Sequence, residues 1–124
     1  MKIFIKKHIV DTILILAKDN YPREVVLLLR GRANQESISV RDFLIPPLAI
    51  LGSSFAEFPA HLLPIDFSIV GTAHSHPSGI LFPSLGDLNN FYGRIMIIFA
   101  HPFTLKHVAA FNYEGEKLSL KVIG

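Results

Sequence analysis

Residues 71–87 read Gly71-Thr72-Ala73-His74-Ser75-His76-Pro77-Ser78-Gly79-Ile80-Leu81-Phe82-Pro83-Ser84-Leu85-Gly86-Asp87. His74 and His76 stand two apart at the end of an apolar run that begins at Phe67. At a strand end, residues two apart point to the same side, so two imidazoles there can converge on one metal ion. Pro77 has no N–H to give to a sheet ladder, so the pair belongs at a rim and not inside the sheet. Ser84 suits a helix N-cap, and Asp87 three residues later makes a capping-box-like start. Asp87 then lies in the first helical turn, where it can swing toward the histidines. Two nitrogens and one carboxylate oxygen leave a fourth tetrahedral position for water, as a catalytic zinc site requires. Each element also has a plainer reading. A histidine on a strand can be a hydrogen-bonded core residue, and Ser84 and Asp87 can be a helix cap alone.

Working outward, the helix is expected over Ser84 to Tyr92, with Gly93 as its stop. Arg94 to Ala100 reads as a buried strand, and Leu105 to Tyr113 with Lys117 to Ile123 as a hairpin around Glu114-Gly115. Toward the N-terminus, Ile9, Val10, Ile13, Leu14, Leu16 and Ala17 recur at three and four, predicting an amphipathic helix over His8 to Asp19. Asn20-Tyr21-Pro22 ends it, because the residue before a proline avoids helical angles. The run Val25-Val26-Leu27-Leu28-Leu29 predicts a strand buried on both faces, stopping at Gly31. A further strand is expected between Ser37 and Ile45, closed by Pro46-Pro47. Leu48 to Pro64 is ambiguous, with room for a short edge strand over Phe55 to Phe58 and a turn at Pro59. The sum is a single α/β domain over residues 1–124: one mixed sheet, a helix at the start and a second helix after the His-x-His strand.

Half of the 124 residues are apolar, which suits one folded core of ordinary size. The absence of cysteine excludes disulfides, thiolate metal sites and cysteine nucleophiles, and is compatible with the cytoplasm. A metal site must then use His, Asp and Glu, which suits zinc or iron. The net charge is only +2. The clusters Lys2/Lys6/Lys7 and Arg30/Arg32/Arg41 are sparse and lack the interleaved aromatics of a nucleic-acid surface, so no nucleic-acid partner is expected. No apolar run approaches the ~20 residues of a membrane span, and the tempting stretch Phe43 to Phe55 carries two prolines, a glycine and two serines. His8, His61, His101 and His107 read as surface or packing residues.

The run His74-Ser75-His76-Pro77, six further residues, then Ser84-Leu85-Gly86-Asp87 resembles the signature of the JAMM (MPN+) metalloproteases: His-x-His-Pro, six residues, Ser-x-x-Asp. The family also has a glutamate entering a buried strand that ends at a glycine, which Glu24 matches in Glu24-Val25-Val26-Leu27-Leu28-Leu29-Arg30-Gly31. Without the resemblance, Glu24 is one acid among ten. The order of elements is that of an MPN domain along nearly the whole chain. The resemblance implies one zinc ion per chain held by His74, His76 and Asp87, Glu24 as general acid/base, and Ser84 as the support for the oxyanion.

It further implies hydrolysis of an isopeptide or peptide bond after the C-terminal tail of a ubiquitin-like modifier or sulfur-carrier protein, as in short stand-alone prokaryotic members. Such a tail would lie as an added strand near Phe55 to Phe58. The loop Ile80-Leu81-Phe82 would either contact the modifier or pack onto its own domain. Three other readings stand beside this one. MPN domains that have lost their ligands serve as interaction modules, but this chain retains all of them. A DNA-processing group of the same fold carries a His-x-His-Pro-Ser-Gly stretch, matched here by Pro77-Ser78-Gly79. A two-His-one-carboxylate site also permits iron. An exposed edge, or the apolar stretch Leu48 to Phe55, offers a surface for a homodimer.

Overall fold

The structure, a computed structural model, describes residues 1–46, the backbone of 50–51, and 68–124. The elements run β1 (Lys2–Lys6), α1 (Lys7–Asn20), β2 (Glu24–Ala33), β3 (Ser37–Leu44), β4 (Ile50–Leu51), β5 (Ile69–His76), α2 (Leu85–Asn89), β6 (Ile95–Ala100), a 3₁₀ turn (Leu105–His107), β7 (Val108–Phe111) and β8 (Lys117–Ile123). This is the mixed sheet and pair of helices expected from the sequence. The edge strand expected at Phe55 to Phe58, the turn at Pro59, His61 and most of Leu48 to Phe55 lie outside the described residues.

One strand is additional. Lys2 and Lys6 flank Ile3 and Ile5, which are wholly buried. The basic cluster is therefore the solvent-facing half of β1, and Lys7 at the start of α1 pairs with Asp11 at 2.8 Å. β2 also passes Gly31, through a bulge between Arg30 and Gly31, and reaches Ala33. The expected Leu105–Tyr113 strand is shorter, because a 3₁₀ turn takes Leu105–His107 before β7 begins.

The strands form one sheet in the order β3-β1-β8-β7-β6-β5-β2-β4, and β3 pairs with β2 as well as with β1. The sheet thus closes on itself, with β4 appended to the first residues of β2. The helix α1 packs against β1, β2, β3, β6 and β8. Its buried stripe Ile9, Val10, Ile13, Leu14 and Ala17 joins Val25, Leu27, Leu29, Ala73, Ile97 and Phe99 in the main core. Alternation along the strands sends the intervening residues to the opposite face. There Met96, Ile98, Ala109 and Phe111 form a second, smaller cluster, covered by Leu81 and Phe91 from the crossover between β5 and β6.

That crossover joins two parallel strands and carries α2. The helix ends at Asn89, shorter than the sequence suggests. Gly93 does not cap it. Instead Gly93 turns the chain into β6 at φ +81°, in a place where a side chain would meet the backbone of Val70 and Gly71. No described helix is long and apolar enough to cross a membrane.

Candidate metal centre

β5 pairs antiparallel with β2, setting Val26 opposite His74, and parallel with β6, setting Ile98 opposite His74. Thr72, His74 and His76 therefore share the outer face of the sheet with Met96 and Ile98, beneath the crossover. Glu24 lies two residues before Val26 on β2, so alternation puts it on the same face. The crossover then returns over this face and delivers Asp87 from the first turn of α2.

His74 is 2% exposed and Asp87 3%. Burying a carboxylate this deeply costs several kcal/mol unless it is paired or bound to a cation. His76 Nε2 lies 3.1 Å from Asp87 Oδ2, and His74 Nδ1 lies 3.4 Å from Asp87 Oδ1. The ligand atoms of His74, His76 and Asp87 all lie within 4.8 Å of one another. Among the described residues this is the one group of three or more such side chains able to hold a metal ion.

The bonds at the back of each ring orient it. His76 Nδ1 is 2.8 Å from the Ile80 carbonyl. A carbonyl only accepts, so Nδ1–H donates and Nε2 turns toward Asp87. His74 Nε2 is 2.8 Å from the Thr72 hydroxyl, which leaves Nδ1 facing the carboxylate. Bonds of this kind fix the tautomer and ring angle of metal-binding histidines. Asp87 is fixed by a capping box: the Ser84 N–H donates to Asp87 Oδ2 at 2.8 Å, and the Asp87 N–H donates to Ser84 Oγ at 3.0 Å.

Electrostatics agree with a cation-binding centre. Burial lowers the His74 pKa and keeps the ring neutral, against the pull of Asp87. Burial also opposes protonation of His76, but the bond to Asp87, the Ile80 carbonyl and the charges of Asp87 and Glu24 outweigh it, raising its pKa. Burial pushes the Asp87 carboxyl up, yet its bonds to the two histidines and to Ser84 hold it well below the usual range. The raised pKa of His76 and the lowered one of Asp87 mark a centre whose charge favours a cation. The two nitrogens and one oxygen suit a first-row divalent ion and leave room for water.

The structure brings His74, His76 and Asp87 together. It places Ser84 beside Asp87 and Glu24 near enough for its charge to act on His76. The remaining described histidines stand outside the centre: His8 is exposed, His101 stacks on Tyr21 at 4.7 Å, and His107 bonds to Thr104. Phe82 packs edge-on to Phe111 but stays half exposed, and Ile80 is exposed. Two supporting residues were not singled out from the sequence, Thr72 and Ser75. The available signal was a pair of hydroxyls in an apolar strand, one of them two residues before His74 and so on its face.

Residues 6–112 match the family model described as prokaryotic homologs of the JAB domain. A curated protein of Haloferax volcanii described as a probable metalloprotease is 35% identical over 120 residues, covering 91% of this chain and 74% of that protein. A solved structure described as "JAMM: A Metalloprotease-like Zinc Site in the Proteasome and Signalosome" superposes over the whole of both chains at a TM-score of 0.71 and 26% identity. A JAB1/MPN domain protein from Archaeoglobus fulgidus does so at 0.71 and 29%. A protein from Desulfitobacterium hafniense, 16% identical with a TM-score of 0.64 over 98% of this chain and 92% of that one, supports the fold alone. With its metalloprotease-like grouping of two histidines and an aspartate, the chain belongs to the prokaryotic JAB branch of the JAMM/MPN family.

Proposed function

We propose that this protein is a zinc-dependent peptidase that cleaves the bond after the C-terminal tail of a ubiquitin-like modifier or sulfur-carrier protein. One observation carries the reading: His74, His76 and Asp87 converge within 4.8 Å on the outer face of the sheet, with the charge of Glu24 acting on the same group. The H. volcanii relative described as a probable metalloprotease supports the class of reaction.

The division of labour follows from chemistry. His74, His76 and Asp87 would hold the zinc ion, which would supply Lewis acidity and lower the pKa of a bound water to about 7. Glu24 takes the proton from the attacking water and returns it to the departing amine. Ser84 Oγ uses a lone pair on the Asp87 N–H, so its own proton is left to donate to the carbonyl oxygen as that oxygen becomes negative. The exposed Ile80 and half-exposed Phe82 flank the centre and offer apolar surface to a modifier.

A purely scaffolding role does not call for two buried histidines around a buried carboxylate, each held by its own hydrogen bond. The test is incubation of the protein with conjugates of candidate modifiers, with and without a chelator, read by mass spectrometry. Release of the modifier that stops with chelator and returns with zinc is expected. Cleavage indifferent to chelator sinks the metal mechanism.

A further inference from the structure

Glu24 must sit at a fixed distance from the metal centre, yet it is the first residue of β2, where the strand has left β5 and pairs only on its other edge, with the two residues of β4, Glu24 opposite Leu51 and Val25 opposite Ile50. The described pairing with β5 runs only as far as Val26 opposite His74. Beyond it the His76 carbonyl turns away and accepts from the N–H groups of Gly79 and His101, at 3.1 and 3.0 Å. A side-chain bond reaches across to β5. The Val25 N–H donates to Ser75 Oγ at 2.7 Å, a side-chain acceptor placed where the backbone ladder stops. Ser75 is 4% exposed, a polar residue in a wholly buried run, and its hydroxyl reaches back to the strand that carries Glu24. Three residues before Glu24, the Tyr21 ring stacks on His101 at 4.7 Å and meets Phe103 edge-on at 6.2 Å. The segment bearing Glu24 is thus held by β4 along one edge, by the Tyr21 stack before it, and on the β5 side by Ser75.

We propose that Ser75, the residue between the two histidine ligands, is a positioning residue that sets the distance of Glu24 from the metal centre through the Val25 amide. The inference rests on the reading of Glu24 as the acid–base group. Ser75 touches neither substrate nor metal. Loss of its hydroxyl leaves the buried Val25 N–H without its acceptor, so the first residues of β2 shift and Glu24 goes with them. A misplacement of about 1 Å is enough to cost on the order of 100-fold in rate.

The test compares wild type, Ser75→Ala and Ser75→Thr, with Glu24→Gln to assign the Glu24 signal. Its first readout needs no substrate: the side-chain carboxyl carbon resonance of Glu24 is followed by NMR as zinc is added to metal-free protein. In wild type the resonance moves with zinc. In Ser75→Ala, with one zinc still bound and the fold intact by circular dichroism, the movement falls to less than half and the Val25 amide exchanges at least tenfold faster. Ser75→Thr, which keeps the hydroxyl, restores both. On a conjugate that wild type cleaves, Ser75→Ala lowers kcat with little change in KM. Should Ser75→Ala fail to fold, Ser75→Cys, with similar volume and only a weak acceptor, gives the same comparison. A Glu24 resonance that ignores zinc in wild type, or moves equally in wild type and Ser75→Ala, overturns the proposal, as does an unchanged kcat beside faster Val25 exchange. Failure of the peptidase reading looks different: wild type shows the full zinc response and releases no modifier.

Discussion

Ser84 and Asp87 hold each other by two hydrogen bonds across one helical turn, each backbone N–H donating to the other's side-chain oxygen. The oxygen of Asp87 that accepts from Ser84 is also the one 3.1 Å from His76. The helix cap and the proposed metal ligand are therefore one structural unit. Removing the carboxylate takes away a donor atom, the charge that compensates His76 and half of the cap. Asp87→Ala is expected to lose bound zinc, and elemental analysis after dialysis is the check. A full equivalent of zinc retained by Asp87→Ala would show that the carboxylate is not a ligand.

Ser84→Ala separates the two functions of the serine. The Asp87 carboxylate keeps the Ser84 N–H, which the substitution does not touch, so zinc stays. The cap loses one bond, worth about 1 kcal/mol in thermal unfolding. If the hydroxyl proton meets the developing oxyanion, kcat falls by roughly 10²–10³. A loss of stability without a loss of kcat would leave Ser84 as a cap only.

The difference between what the sequence made legible and what it hid follows the range of the interactions. His74 and His76 share a face by strand periodicity, and Ser84 and Asp87 share a turn by helix capping, so local rules bring out both halves of the centre. That the halves meet depends on the parallel return of the chain through β6, which local rules do not give; the JAMM-like spacing supplied it. β1 escaped because its alternation of Lys2, Phe4 and Lys6 with the buried Ile3 and Ile5 spans only five residues, and the lysines at its ends dominate so short a window. The Ser75–Val25 bond joins residues 50 apart and shows only once β2 and β5 are paired.

Thr72→Val probes the ring of His74. The two side chains have nearly the same volume, but valine removes the hydroxyl 2.8 Å from His74 Nε2 and leaves that buried nitrogen facing a methyl group. Zinc affinity is expected to fall about 10–100-fold, as when other outer partners of ligand histidines are lost. Competition with a chromophoric chelator measures it. Unchanged affinity would mean that packing alone orients the ring.

Glu24→Gln tests the proton shuttle. Glutamine keeps the shape and loses the basicity, and Glu24 is not among the three grouped ligands. One zinc per chain should remain, while kcat/KM falls by roughly 10²–10⁴. Full activity in this variant would remove Glu24 from the mechanism.

Metal and proton compete at His76, and the direction of that competition can be measured. In the metal-free centre burial lowers the His74 pKa, whereas the bonds and charges around His76 raise its pKa against burial, so near pH 6.5 the proton resides on His76 more than on His74. The raised group stabilises the metal-free fold fully below its unfolded value near 6.5, and that contribution is lost as pH climbs through the folded value. Zinc needs the neutral ring, so its stabilisation runs the other way, complete in mild alkali and lost as pH falls. Binding near pH 6.5 should therefore release protons, and more from His76 than from His74. Calorimetric titrations in buffers of different ionisation enthalpy give the number released directly. The zinc-induced rise in Tm should also shrink steadily from pH 8 to about pH 5. Zinc binding at pH 6.5 that releases no proton would show that the His76–Asp87 pair does not hold the proton the metal displaces.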